Sequence, residues 1–239
     1  MIVFCATAYQ AQFVSQYFDA CGIRGVNALH SRKTQSYRTR VSNEFRNARA
    51  GVLVASDVAA RGVDYPGVTL VVQCGCPATR EQYVHRSGRT GRAGEEGRAL
   101  LLLEDFEAPM ALEMLAGLPL HDETQGLTDA LLSAASSATA TDVTATADAA
   151  SLDETARCRA YTAWLGYHNG NKKNYGWSAT DLVAAANHYS REALRLPEPP
   201  AMTARAAGMM GLKGVAGVRI AAKTDGGREG GGKGPAGRA

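Results

Sequence analysis

Val52-Leu-Val-Ala-Ser-Asp-Val-Ala-Ala-Arg-Gly-Val-Asp64 runs from four apolar residues straight into a hydroxyl, a carboxylate, an Arg-Gly pair and a second acid. A short apolar run rich in valine and bounded by small polar residues reads as a strand buried on both faces. Where it ends, at Ser56 and Asp57, side-chain oxygens and free backbone N–H groups are offered together. Alone, the string has a plainer reading: a helix N-cap followed by a glycine turn. The pattern returns on either side. Ile2–Cys5, Val26–Leu29, Leu70–Gln73 and Ala99–Leu103 are further strand candidates. Between them, Ala8–Cys21, Thr34–Asn47 and Thr79–Arg86 space their apolar residues as amphipathic helices. Strand and helix in alternation predict an α/β fold with a mainly parallel sheet covered on both faces. In such sheets ligands sit at the carboxyl ends of the strands, where Ser56 and Asp57 fall.

Two more segments carry chemistry. His85-Arg86-Ser-Gly-Arg89-Thr-Gly-Arg92 interleaves three arginines with two glycines. On one helix face these charges repel, and the glycines weaken the helix. A shared anion gives a reason for the arrangement, because guanidinium forks pair bidentately with phosphate oxygens while glycine lets the backbone come close. A solvated basic loop is the alternative. His30-Ser-Arg-Lys-Thr-Gln-Ser-Tyr-Arg-Thr-Arg40 sets Arg32, Lys33, Arg38 and Arg40 beside hydroxyl and amide donors. It suits either sequence-blind contacts to a nucleic-acid backbone or a charged helix face.

Taken together, in this order and spacing, these segments resemble the second-lobe motifs of DEAD-box ATP-dependent RNA helicases. Ile2-Val-Phe-Cys-Ala-Thr7 is similar to motif IV, Gln35-Ser-Tyr-Arg38 to the Q-x-x-R motif, Ser56–Asp64 to motif V and His85–Arg92 to motif VI. The likeness covers residues 1 to about 120, and the His-Arg opening of motif VI points to the DEAD-box branch rather than the DEAH type. It implies a RecA-like three-layer fold. It also implies roles: Arg89 and Arg92 at the γ-phosphate of ATP, with Arg92 the arginine finger, Asp64 at the ribose, and His85 and Arg86 coupling the two lobes. Thr7, Gln35, Arg38, Ser56 and Asp57 would lie along the RNA backbone. The implied cofactor is ATP with Mg2+, held mainly by a first lobe. The implied partners are that lobe and single-stranded or structured RNA. Three positions depart from the usual motifs: Ser56 stands where Thr is frequent, Ser87 where Ile or Leu is common, and Ser31 where Gly often follows the histidine.

Finer matches lie in His30–Lys33, Gly62-Val-Asp-Tyr-Pro66, Ala160–Tyr167 and Met209–Val215. They resemble the mitochondrial intron-splicing DEAD-box chaperones and their plant organellar relatives. The likeness implies an intracellular, mitochondrial or plastid setting and a helical extension behind the lobe. Accordingly, 1–123 is expected to be the lobe, 124–151 a flexible Ala/Thr/Ser linker, 152–220 the helical extension and 221–239 a basic, disordered Gly-rich tail. Tyr161, Trp164 and Tyr167 are expected to pack against the lobe rather than stack on bases, and His168 and His188 show no obvious partners.

Charge follows the same division. Residues 1–123 carry 13 basic and 13 acidic side chains, 124–201 carry 6 and 8, and 202–239 carry 7 and 2. The basic end suits a polyanion partner. The five cysteines are odd in number and lack zinc-ligand spacing, so neither a metal site nor a disulfide framework is expected. No apolar run approaches the ~18 residues of a membrane span. Met1–Cys5 has no basic preamble of a signal peptide and reads as a strand cut at a domain boundary.

The phosphate-cradling G-x-x-x-x-G-K-[ST] and the Asp-Glu-Ala-Asp box belong to the first lobe and do not occur here. Gly227–Gly234 imitates the former up to its last position, but lacks the Ser or Thr that would meet magnesium. The chain is therefore expected not to hydrolyse ATP alone. Two rival readings are a single-lobed RNA- or protein-binding module without turnover and a DNA helicase or translocase. The Arg89/Arg92 pair argues against the first, and His85-Arg86 against the second.

Overall fold

The computed structural model describes residues 1–57, 64–92, 94–136 and 152–222. Five strands, β1 (Ile2–Cys5), β2 (Val26–Leu29), β3 (Val52–Ala55), β4 (Leu70–Cys74) and β5 (Arg98–Leu102), form one sheet in the order β2-β3-β1-β4-β5. Every pairing is parallel. The sheet is thus α/β and parallel throughout the described strands, with bounds within a residue of those read from the apolar runs.

Alternation along each strand sorts the core into two faces, because successive side chains point to opposite sides of a pleated sheet. Ile2, Phe4, Leu53, Ala55 and Val71 pack with Val41 and Phe45 of helix α2 (Gln35–Asn47). Val3, Cys5, Val52 and Val54 pack with Ala11, Val14 and Phe18 of helix α1 (Ala8–Ala20). Helix, sheet and helix make the three layers. Both helices are capped by threonine: Oγ1 of Thr7 accepts from the Gln10 N–H at 3.1 Å, and Oγ1 of Thr34 from the Tyr37 N–H at 3.3 Å. Helix α3 (Arg80–Ser87), capped by Thr79, follows β4, and α4 (Ala108–Met114) follows β5.

Helix α5 (Thr124–Ser136) corrects one expectation, since a linker without regular structure was read over 124–151. Its large apolar residues face solvent, with Leu131 and Leu132 each 62% exposed. Burial therefore does not account for the helix. Leucine and alanine are strong helix formers, and the Asp122 carboxylate accepts the Thr124 N–H at 2.9 Å. The low-apolar composition argued against a packed core and said nothing against a solvated helix. Residues 137–151 of that linker, and 223–239 of the expected tail with its phosphate-loop imitation, lie outside the described residues.

Behind α1 lies the extension: α6 (Glu154–Asn171), α7 (Ala179–Glu192) and the short α8 (Ala204–Met209). Phe13, on the outer face of α1, joins Tyr161, Trp164, Leu165, Leu182 and Leu212 in a second apolar core. Helix α1 is consequently covered on both sides, by sheet and by extension. Tyr161 and Trp164 are 3% and 4% exposed, as packing rather than base stacking requires. Tyr167 donates its hydroxyl to the Cys76 carbonyl at 3.0 Å, tying α6 to the end of β4. His168 contradicts its expectation. It is buried, its Nδ1 lies 3.2 Å from the Tyr175 hydroxyl, and rings of Phe106, Trp164 and Tyr167 surround it. Burial lowers its pKa to about 4, so the ring is neutral in the fold. The spacing of α6 gave no warning, because the partners Phe106 and Tyr175 lie on other segments.

Candidate nucleotide and nucleic-acid site

Because all five strands run the same way and in register, the residues that follow them emerge along one edge. Thr7 follows β1, His30 follows β2, Ser56 and Asp57 follow β3, and Gly75 follows β4. This edge gathers the motifs that the sequence left tens of residues apart.

Its buried end is an ion pair. Arg86, on α3, is 2% exposed and donates through Nε and Nη2 to Oδ1 of Asp57 at 2.8 and 2.5 Å. The guanidinium also lies 5.6 Å from the centre of the Phe4 ring. The enclosed guanidinium fixes position, since two donors on one carboxylate oxygen set the angle as well as the distance, while Asp57 itself stays 38% exposed. Next to it Gln73, fully buried on β4, donates through Nε2 to the Ser87 hydroxyl at 2.9 Å and to the Tyr83 carbonyl at 3.3 Å. The departure at Ser87 is thereby explained: the hydroxyl partners a buried amide that an aliphatic side chain would leave less satisfied. Sequence reading missed Gln73. A lone glutamine in an otherwise apolar strand was the available signal.

The exposed end is built on the turn after α3. Gly88 ends the helix, and beyond it Arg92 folds back, donating through Nε to the Gly88 carbonyl at 2.6 Å. Its Nη1 meets Oδ1 of Asp64 at 2.6 Å, with the two side chains 36% and 70% exposed. Arg89 donates to the His85 carbonyl at 3.2 Å and, with Arg92, Tyr65 and Glu95, lines a cleft of about 40 Å3. Burial and then the like charge of Arg92 lower the Arg89 pKa, so an anion here would be welcomed. Gly97 is required beside this turn, because a Cβ there would run into the side chain of Thr90 and the N–H of Gly91. Tyr65 anchors the segment behind Asp64, with its hydroxyl 3.0 Å from that of Ser42 and its ring edge-on to Phe45.

The remaining residues of interest are spread along the edge. Thr7 spends its hydroxyl on capping α1 and on the Gln10 side chain, and Ser56 is buried, its N–H held by the Leu29 carbonyl. Gln35 opens α2 and is exposed, while Arg38 on the same helix is half-buried with a buried Nε. His85 is exposed. Asp57 is thus engaged by Arg86, and Asp64 by Arg92, while Gln35 and His85 face solvent. Arg61 and Gly62, between the two aspartates, lie outside the described residues. Tyr9 was not singled out by sequence; the guanidinium of Arg32 lies 4.3 Å from its ring centre and that of Arg159, from α6, 5.9 Å. His30, after β2, is buried, and burial with Lys33 and Arg32 nearby lowers its pKa to about 4. Among the described residues no cluster of His, Cys, Asp and Glu could hold a metal ion, and no helix is long and apolar enough to cross a membrane.

Comparison with known proteins matches this geometry. Residues 1–94 match the helicase conserved C-terminal domain. The chain is 43% identical over 230 residues to DEAD-box ATP-dependent RNA helicase 25 of Arabidopsis thaliana, covering 92% of this chain and 37% of that one. It is also 43% identical over 195 residues to the mitochondrial ATP-dependent RNA helicase MSS116 of Phaeosphaeria nodorum, covering 82% and 34%. The chain therefore spans little more than a third of the length of these relatives. Among solved structures, Mss116p DEAD-box helicase domain 2 bound to an RNA duplex shares the fold, with a TM-score of 0.63 at 22% identity over 88% of this chain and 80% of that one. That overlap runs past the sheet into the extension. With a helicase C-terminal domain at its front and relatives of one kind along nearly its whole length, the chain belongs to the DEAD-box ATP-dependent RNA helicase family, as the C-terminal RecA-like lobe.

Proposed function

We propose that this chain is the second lobe of an ATP-dependent RNA helicase or RNA chaperone, which remodels RNA by local strand separation when the two lobes close on ATP and RNA. The observation that carries the reading is the Arg92–Asp64 contact at 2.6 Å, with Arg89 beside it. Two segments 28 residues apart meet at one rim and offer guanidiniums for phosphate beside a carboxylate for a sugar hydroxyl. This donor set fits ATP with Mg2+, with the metal held mainly by the other lobe; bound there, the nucleotide supplies the phosphoryl group whose hydrolysis drives the cycle. This chain's residues do three things. Arg92 leaves Asp64 for developing phosphoryl charge, Asp64 takes the ribose, and Arg89 assists at the phosphates. Arg86, locked to Asp57, couples the nucleotide rim to the carboxyl edge of the sheet, and His85 faces the other lobe. Thr7, Gln35, Arg38 and Ser56, with Asp57, lie along the edge where RNA phosphate and sugar would run, so little sequence preference follows. An organellar setting is proposed from the likeness to a mitochondrial relative.

Joining the chain to a first lobe that carries the phosphate loop and DEAD box tests the reading. The joined protein should hydrolyse ATP in response to single-stranded RNA, and the chain alone should not. ATP turnover by the chain alone, or a joined protein that binds RNA yet ignores it in hydrolysis, would overturn the proposal.

A further inference from the structure

Cys5 and Cys74 are direct partners in the β1–β4 ladder. Neighbouring parallel strands lie roughly 4.8 Å apart, and directly paired residues point to the same face. That spacing falls within the roughly 4.4–6.8 Å between Cα atoms that a disulfide bridges. Both residues pack on the α1 face of the sheet. Both also line an open cavity of about 350 Å3 between the ends of β1, β4 and β5 and the extension, together with Gln10, Glu104, Trp164 and His168. The pair is unequal: Cys5 is 2% exposed, while Cys74 is half-buried.

We propose that Cys5 and Cys74 form a redox-modification site, at which a hydroperoxide entering this cavity oxidises Cys74 and Cys5 resolves the product into a disulfide joining β1 to β4. The Cys74 thiolate attacks the terminal peroxide oxygen, the O–O bond breaks, and a sulfenic acid forms with release of alkoxide, or of hydroxide where the oxidant is hydrogen peroxide, which takes up a proton. The Cys5 sulfur then attacks the sulfenic sulfur, the S–O bond breaks, and the displaced hydroxide takes the Cys5 thiol proton and leaves as water. Overall two thiols and one hydroperoxide give a disulfide, water and the corresponding alcohol or, for hydrogen peroxide, a second water. Two electrons pass from sulfur to oxygen.

The surroundings assign the order of events. A hydrogen bond with Cys5 lowers the Cys74 thiol, and the Arg86 guanidinium adds to this, while burial and Glu107 oppose it. Cys5 is raised by that same bond and by burial. Cys74 is accordingly the nucleophile and Cys5 the resolving thiol. Cys76 does not compete: its Sγ donates to the Pro77 carbonyl at 3.5 Å, and burial with Glu107 pushes its thiol up to about 11.

The full chain, titrated with hydrogen peroxide, quenched with N-ethylmaleimide and mapped by peptide mass, tests the site. Free thiol at Cys5 and Cys74 should disappear together into one cross-linked peptide pair that dithiothreitol releases, while Cys21, Cys76 and Cys158 remain alkylated. Loss of Cys21 or Cys158 before Cys74, a Cys74–Cys76 bridge, or over-oxidation of Cys74 without a bridge would each overturn the proposal. Cys5→Ser adds a second arm, in which dimedone should trap a sulfenic acid on Cys74; a folded variant without that adduct would also overturn it. Should the variant not fold, the wild-type mapping decides by itself.

Discussion

Arg86 and Arg92 stand on one segment, and each pairs with an aspartate from the stretch after β3, yet the two ends of that segment are built for different work. At the buried end Arg86 has 2% of its side chain exposed and gives two donors to one oxygen of Asp57, itself 38% exposed. At the exposed end Arg92 gives one donor to an Asp64 that is 70% exposed. Removing one partner from a buried pair strands a charge in a poor solvent, whereas an exposed pair is replaced by water at little cost. The first pair is therefore a fixture of the fold. The second can open, as a residue must that is to leave its partner for a nucleotide.

The largest expected effect tests the exposed end. In a two-lobed protein carrying this chain, Arg92→Ala should lower RNA-stimulated ATP hydrolysis by about 10³-fold while leaving RNA affinity and stability nearly unchanged. Residual turnover above roughly a tenth would remove Arg92 from the finger role. At the buried end, Asp57→Ala should cost about 3 kcal/mol of stability in urea unfolding of the chain, because it strands the enclosed Arg86 guanidinium. A loss no greater than that of Asp64→Asn would erase the distinction between the ends. Between them, Ser87→Ala should cost about 1 kcal/mol by leaving Gln73 with the longer of its two bonds, and a neutral result would show the amide satisfied elsewhere. The smallest effect belongs to Asp64→Asn, about 0.5 kcal/mol in the isolated chain and less in high salt, because the pair it breaks is solvated. A salt-independent loss above about 1 kcal/mol would mean that the exposed pair also holds the fold.

Legibility differed along the chain for physical reasons. The central strands were readable because β1 and β3 are buried on both faces, so Ile2–Cys5 and Val52–Ala55 had to be apolar without interruption. Helix α5 was not, because its stability is local and its leucines lie in water, a state that hydrophobic patterning does not report. Ser87 stood only as a departure from the usual Ile or Leu until Gln73 was seen beneath it. His168 looked idle because its partners Phe106 and Tyr175 come from outside α6.

Sequence alone settled the kind of fold and pointed to the kind of protein: alternating apolar runs predict a covered parallel sheet, and the spaced arginines, in order with the other segments, resemble a helicase motif that faces phosphate. Tertiary structure alone decided how those charges are spent. Asp57 and Asp64 stand close together in the sequence and are both carboxylates, so nothing in their residue type separates a lock from a switch. The separation comes from depth. Asp57 meets a guanidinium enclosed beside Phe4, Asp64 meets one in water, and the dielectric around each pair decides whether it holds or lets go.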